Sequence, residues 1–237
     1  MRYPIIPLRI LEIKNSSYFE GSVENKLPSF IVTKMGEKVV RCGIVGTLVD
    51  KYVNEDLTYS RLIICDDTSD IILKCFGELV NESLKIDLGN IVFAYGKVRE
   101  YNYRYIRAEF IKKVDFVFES FFKLKIIDRI KRNSNIVKEI LKLSEILNYE
   151  EILIEAKKRF ELEEIQVKEI LKLKSLENLE DKILEIIKSF SSEDGVSESE
   201  ILSILNIEKD RIERVIRELL NSGKIYEYAP GKYRIIE

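Results

Sequence analysis

The chain of 237 residues contains no histidine and no tryptophan, and only three cysteines and four prolines. Without histidine, the usual general base at neutral pH and the commonest metal ligand are both missing. The cysteines, Cys42, Cys65 and Cys75, all fall in strand-patterned runs and form no Cys-x-x-Cys pair. They read as buried apolar residues of a reducing compartment, not as a zinc site. No metal and no cofactor is expected. No signal peptide and no apolar run long enough to cross a bilayer is found, so a cytoplasmic protein with no membrane partner is expected. A large excess of one charge is also missing. The 39 basic and 41 acidic residues leave a net charge of −2, so any site for nucleic acid must be local. Abundant Lys, Glu and Ile without Trp suggests a hyperthermophilic, AT-rich source. The length allows two or three small domains.

What is present is organised around Val40–Val114. Five β-patterned runs lie there: Val40–Tyr52, Tyr59–Cys65, Ile71–Phe76, Asn90–Glu100 and Tyr103–Val114. The second and third are joined by the turn Asp66-Asp67-Thr68-Ser69-Asp70, and a short helix, Glu78–Leu84, fits between the third and fourth. This order is that of an all-β five-stranded OB-fold barrel, an architecture that binds single-stranded nucleic acid.

Strand residues alternate faces. Ile71, Leu73 and Cys75 form an inward row, as do Val92, Ala94, Gly96 and Val98, and then Ile106, Ala108 and Phe110. The opposite face mixes rings with cations: Lys74, Phe76, Lys97, Arg99, Tyr101, Tyr103 and Arg107. Rings stack on unpaired bases, at about 1–3 kcal/mol per base, and cations follow phosphates. The same residues also suit any exposed sheet, because Tyr favours strands and has a polar tip. Charge weighs toward binding: Lys97–Lys113 holds six basic and two acidic residues.

The arm before the barrel contains Pro4-Ile5-Ile6-Pro7, an apolar run Leu8–Ile13, a polar loop with Asn15, Ser16, Ser17, Gly21 and Ser22, and an extended segment Pro28–Thr33. It is expected to pack on the barrel and add a strand at an edge. After the barrel, Phe116–Lys131 is a helix apolar on more than one face, so it must pack on the barrel or on another subunit. Phe118, Phe121, Phe122 and Ile127 are the candidate oligomerisation residues. Asn133-Ser134-Asn135 is expected to break it, with amphipathic helices Ile136–Leu147, Glu150–Phe160 and Glu163–Leu173 following. A last unit reads as helix Leu179–Phe190 ending at Ser191-Ser192-Glu193-Asp194-Gly195, helix Glu198–Leu205 capped by Ser197 with Glu200 and stopped by Asn206, helix Glu208–Asn221, and a hairpin Lys224–Ala229 and Lys232–Ile236. That is an α+β winged-helix domain. From Glu177 onward, fourteen acidic residues face nine basic ones, which favours protein over phosphate as its partner. The expected division is 1–114, 115–175 and 176–237: arm and barrel, helical assembly or spacer region, and winged helix.

The order of parts resembles the replication protein A family, specifically its middle-sized subunit and the archaeal replication-protein-A-associated proteins. The resemblance is carried by Pro28–Thr33, Gly36–Arg41, Ile44–Leu48 and Tyr95–Tyr101, and by a winged helix after a helical spacer. It implies a subunit that protects single-stranded DNA in replication, repair and recombination, together with other replication protein A subunits. It places the two strand-gripping aromatics at Phe76 and Tyr101, where this chain has Phe instead of the frequent Trp. It gives the helix Phe116–Lys131 the role of assembling subunits, and the winged helix that of recruiting replication and repair proteins. The chain is not expected to be an enzyme. Two other readings stand beside this one. One is a structural adaptor that binds no DNA and recruits partners through its helices and winged helix. The other is a metal-dependent nuclease built on Asp66, Asp67 and Asp70, residues that are equally ordinary turn formers.

Overall fold

A computed structural model describes residues 3–22, 24–189, 195–205 and 207–236. The chain divides into two compact units, Met1–Ile170 and Leu171–Glu237.

In the first unit, β1 (Ile5–Pro7), α1 (Ile10–Lys14), β2 (Ser17–Phe19), β3 (Phe30–Val32) and β4 (Lys38–Val39) make the arm. The barrel follows as β5 (Arg41–Val53), β6 (Tyr59–Cys65), β7 (Asp70–Phe76), α2 (Glu78–Leu84), β8 (Ile91–Tyr101) and β9 (Tyr103–Lys113). Strand order is β1-β5-β6-β7-β9-β8, and pairing of β5 with β8 closes the sheet into the expected OB barrel. β7 and β9 pair in parallel, all other barrel neighbours antiparallel. The arm adds β1 to β5 at an edge, as expected, but in parallel. The stretch expected as a polar loop holds β2, which pairs with β3.

The alternation that defines the barrel has a physical source. Leu62, Ile64, Ile71, Leu73 and Ile106 are fully buried, each contributing about 1.5–3 kcal/mol through removal from water. Gly96 lies where a Cβ would run into the backbone carbonyl of Arg107, so only glycine lets β8 and β9 approach there. A β-bulge sits at the same place: Tyr95 pairs with Phe110, and Gly96 with Ala108. The extra residue, Glu109, corrects one expectation. Phe110 turns out of the core and stacks on Tyr95 at 5.2 Å, while Ile111 takes the inward position.

Helix α3 (Phe116–Ile146) starts where Asp115 accepts a hydrogen bond from the Phe118 amide at 2.8 Å. It runs straight through Asn133-Ser134-Asn135, which was expected to end it. Asn and Ser each cost a helix only about 0.5 kcal/mol, far below Gly or Pro. Buried Arg129 and Val137 anchor the turns on either side. Phe122 and Ile126 pack on Val45 and Phe93 of the barrel. Arg129 donates to Glu12 at 2.6 Å and also to Glu37, locking the helix to the arm. Helix α4 (Tyr149–Phe160) begins at a capping box of Asn148 and Glu151. Helix α5 (Glu164–Ser189) merges the two expected helices Glu163–Leu173 and Leu179–Phe190, since no Gly or Pro separates them.

The second unit adds β10 (Val196–Ser197), α6 (Glu198–Leu205), α7 (Lys209–Asn221), β11 (Ile225–Ala229) and β12 (Lys232–Ile235), with sheet order β10-β12-β11. This is the expected winged-helix arrangement with one short strand added. The capping box is formed: the Ser197 amide donates to Glu200 at 2.7 Å and the Glu200 amide to Ser197 Oγ at 3.3 Å. Ile201, Ile212, Val215 and Ile225 make its core. The expected breaks at 190–194 and at Asn206 lie outside the described residues.

Candidate nucleic-acid interface

The parallel register of β7 and β9 assembles the site. Lys74 pairs with Arg107, and Arg107 pairs in turn with Lys97 on β8. On the other side Lys74 pairs with Arg61 of β6, and Lys97 pairs with Arg41 of β5. Five cations therefore stand in one row across five strands, about 19 Å long from four steps of about 4.8 Å. Like charges opposite one another destabilise a sheet. Acids offset part of the row: Arg61 pairs with Asp50 at 3.1 Å, while Arg41 and Lys97 share the single carboxylate of Glu109. The other two cations, adjacent inside the row, are held differently. Among the described residues no ion pair involves Lys74 or Arg107, and both lie over rings instead. Lys74 Nζ is 3.9 Å from the centre of Tyr105 and 4.9 Å from Tyr103, and Arg107 is 5.4 Å from Phe76.

The rings flank that pair. Phe76 and Tyr59 are cross-strand partners with centroids 5.3 Å apart. Tyr103 and Tyr105 lie 5.9 Å apart on β9. Tyr101 and Tyr103 pair across the hairpin turn at Asn102, whose φ of 31° places it in the left-handed region. Tyr101 is the most open ring, at 77% exposed, and Phe76 and Tyr103 are exposed too. Arg99 is half-buried, pairs with Tyr105, and donates to the adjacent Val98 carbonyl. Hydrogen bonding to Tyr103, reinforced by its charge interactions with Tyr103 and Tyr105 and opposed by burial, holds the Lys74 ammonium above its ordinary pKa. Burial raises the Tyr59 phenol, although the cations Lys74 and Arg61 pull the other way.

The structure brings Lys74, Phe76, Lys97, Arg99, Tyr101, Tyr103 and Arg107 onto one face. Sequence reasoning passed over Tyr59, Arg61 and Arg41, although β6 alternates Tyr59, Arg61, Ile63 against Ser60, Leu62, Ile64. The assembly residues are divided. Phe122, 7% exposed, is used up against the barrel, and Phe118 packs partly on Phe93 at 5.2 Å. Phe121 and Ile127 remain exposed, along with Phe116, Val117 and Leu124.

The aspartates of the β6–β7 turn are committed elsewhere. Asp66 accepts from the amides of Ile10, Thr68 and Ser69, Asp67 faces Lys123, and Asp70 pairs with Lys14. Among the described residues no cluster of three potential ligands could hold a metal, and no helix is long and apolar enough to cross a membrane.

Residues 156–228 match the protein family described as Replication protein A C terminal. The resemblance to replication protein A is borne out. The chain is also similar in structure to the S. pombe Stn1–Ten1 complex, at 16% identity over 58% of this chain and 98% of that one, with a TM-score of 0.50. A replication protein A heterotrimer bound to single-stranded DNA matches at 16% identity over 55% of this chain and 98% of that one, with a TM-score of 0.45. Yeast replication protein A bound to single-stranded DNA matches at 19% identity over 53% and 88%, with a TM-score of 0.42. No curated protein sequence matches the chain.

Proposed function

We propose that the chain is a single-stranded-DNA-binding subunit of a replication-protein-A-like complex serving replication, repair and recombination, and that it binds rather than catalyses. One observation carries this reading: Lys74 and Arg107 sit inside a cation row with no acidic partner among the described residues, flanked by the exposed rings of Phe76, Tyr101 and Tyr103. Bases stack on Phe76, Tyr101 and Tyr103, and Lys74, Lys97, Arg99 and Arg107 take phosphates. The match of residues 156–228 to the family described as Replication protein A C terminal supports the reading. The exposed α3 face of Phe121, Leu124 and Ile127 supports contact with other subunits, and the acidic balance of the second unit supports recruitment of replication and repair proteins.

The test is fluorescence anisotropy with labelled oligo-dT. Phe76→Ala combined with Tyr101→Ala removes two stacking contacts and is expected to weaken binding on the order of 100-fold, with an unchanged melting curve. Unchanged affinity in the folded variant would sink this site and leave the adaptor reading in its place.

A further inference from the structure

At the Tyr103 end of the strand face, a cleft of about 340 Å³ opens between the barrel rim and α1. Asp70, Ile72, Lys74 and Phe76 alternate along the outer side of β7, so the cleft continues the row that carries Lys74 and Phe76. Tyr103, 47% exposed, lines one side, and Ile72 supplies apolar surface. Two ion pairs make up the rest of the lining. Lys14 Nζ donates to Oδ1 of Asp70 at 3.0 Å, and Arg104 Nε donates to Oε2 of Glu100 at 2.7 Å. Each pair occupies one carboxylate oxygen. Asp70 Oδ2 and Glu100 Oε1 accept no hydrogen bond among the described residues. Lys14 uses one ammonium proton in its pair and keeps the others to donate. Arg104 also donates to the carbonyls of Ile13, Lys14 and Ser16, which fixes the end of α1 as a wall.

We infer that this cleft holds one unpaired guanine of the bound strand and so gives strand binding a base preference. The inference rests on the strand-binding reading and adds to it a residue-level source of sequence selection. Two cations and two carboxylates cancel, so the lining offers a phosphate no net attraction. A flat neutral base suits it, with one face on Tyr103 and its edge toward the free polar atoms. Guanine matches those atoms in kind. Its N1–H and N2 amino group donate where Asp70 Oδ2 and Glu100 Oε1 accept, and its O6 accepts from Lys14. Thymine carries a single donor on that edge, between two carbonyls, and leaves one carboxylate oxygen unmatched.

The experiment is anisotropy of the full chain with labelled oligo-dT of about 12 nucleotides, inside the site-size range of one OB fold, carrying a single guanine at each position in turn. At one position guanine is expected to tighten binding about tenfold over thymine, the size of one good edge contact. Hypoxanthine, which lacks the N2 amino group, should lose most of that gain there, and 7-deazaguanine should keep it. Stacking strength alone would treat the three purines alike, and that result overturns the inference. Asp70→Asn combined with Glu100→Gln is expected to abolish the preference and to leave binding of plain oligo-dT intact. A guanine preference that survives in this folded variant overturns the inference. So does equal affinity for guanine and thymine at every position while oligo-dT itself binds. No binding of any of these oligonucleotides overturns the strand-binding reading, and this inference with it.

Discussion

Two aromatic surfaces of the first unit lie open to solvent, and they differ in what surrounds the rings. On the barrel, Phe76, Tyr101 and Tyr103 are interleaved with Lys74 and Arg107, and two of the three rings carry hydroxyls. On α3, Phe116, Val117, Phe121, Leu124 and Ile127 form a largely aliphatic stripe. Lys125, over Phe121 at 4.7 Å, is the cation recorded against its rings. An apolar patch of this kind suits a protein contact, because covering it returns water to bulk without desolvating charge. A cationic ring face remains wet until an anion arrives. Exposure is therefore shared by both surfaces, and the neighbouring side chains decide the partner.

The contrast can be broken from either side. The largest expected effect is on stability within α3 itself: Phe122→Ala empties a barrel contact and should cost about 3–5 kcal/mol, read as a lowered denaturation midpoint. Phe121→Asp, one residue away on the open side, should leave that midpoint within about 0.5 kcal/mol while abolishing co-purification with partner subunits. If Phe121→Asp unfolds the chain as Phe122→Ala does, the stripe is core and not interface. A smaller effect belongs to the barrel. Lys74→Gln and Arg107→Gln should each reduce the salt slope of strand binding by about 0.7, and Phe121→Asp should not change it.

The sequence shows why some of this was legible. Period-two alternation located all five barrel strands to within a residue or two, and the helix Glu78–Leu84 has the same limits in the fold as in the expectation. Ser197 and Glu200 announced a cap because that motif is purely local. What depends on register was hidden. The parallel pairing of β7 with β9 put Lys74 beside Arg107, and no spacing within one strand reveals it. One inserted residue, Glu109, reversed Phe110. The polar triplet Asn133-Ser134-Asn135 looked like a break because tertiary anchoring by Arg129 could not be seen.

The smallest effect concerns the cysteines. Burial pushes the Cys42 thiol up to about 12 and Cys75 up to about 11, from a value of 9.0 when exposed. Both therefore stay protonated and unreactive in the native state, and thiol reagents at pH 8 should label half-buried Cys65 first. Their contribution to stability is full below pH 9 and is lost as pH rises from there toward 12. A urea titration repeated across alkaline pH reads that decline.

The central claim is that the barrel face grips an unpaired strand. Its most direct test is anisotropy of the purified full chain with labelled oligo-dT at two salt concentrations, with unlabelled duplex as competitor. The account predicts binding that weakens steeply with salt and that duplex does not displace. No binding at micromolar protein, or equal displacement by duplex, would contradict it.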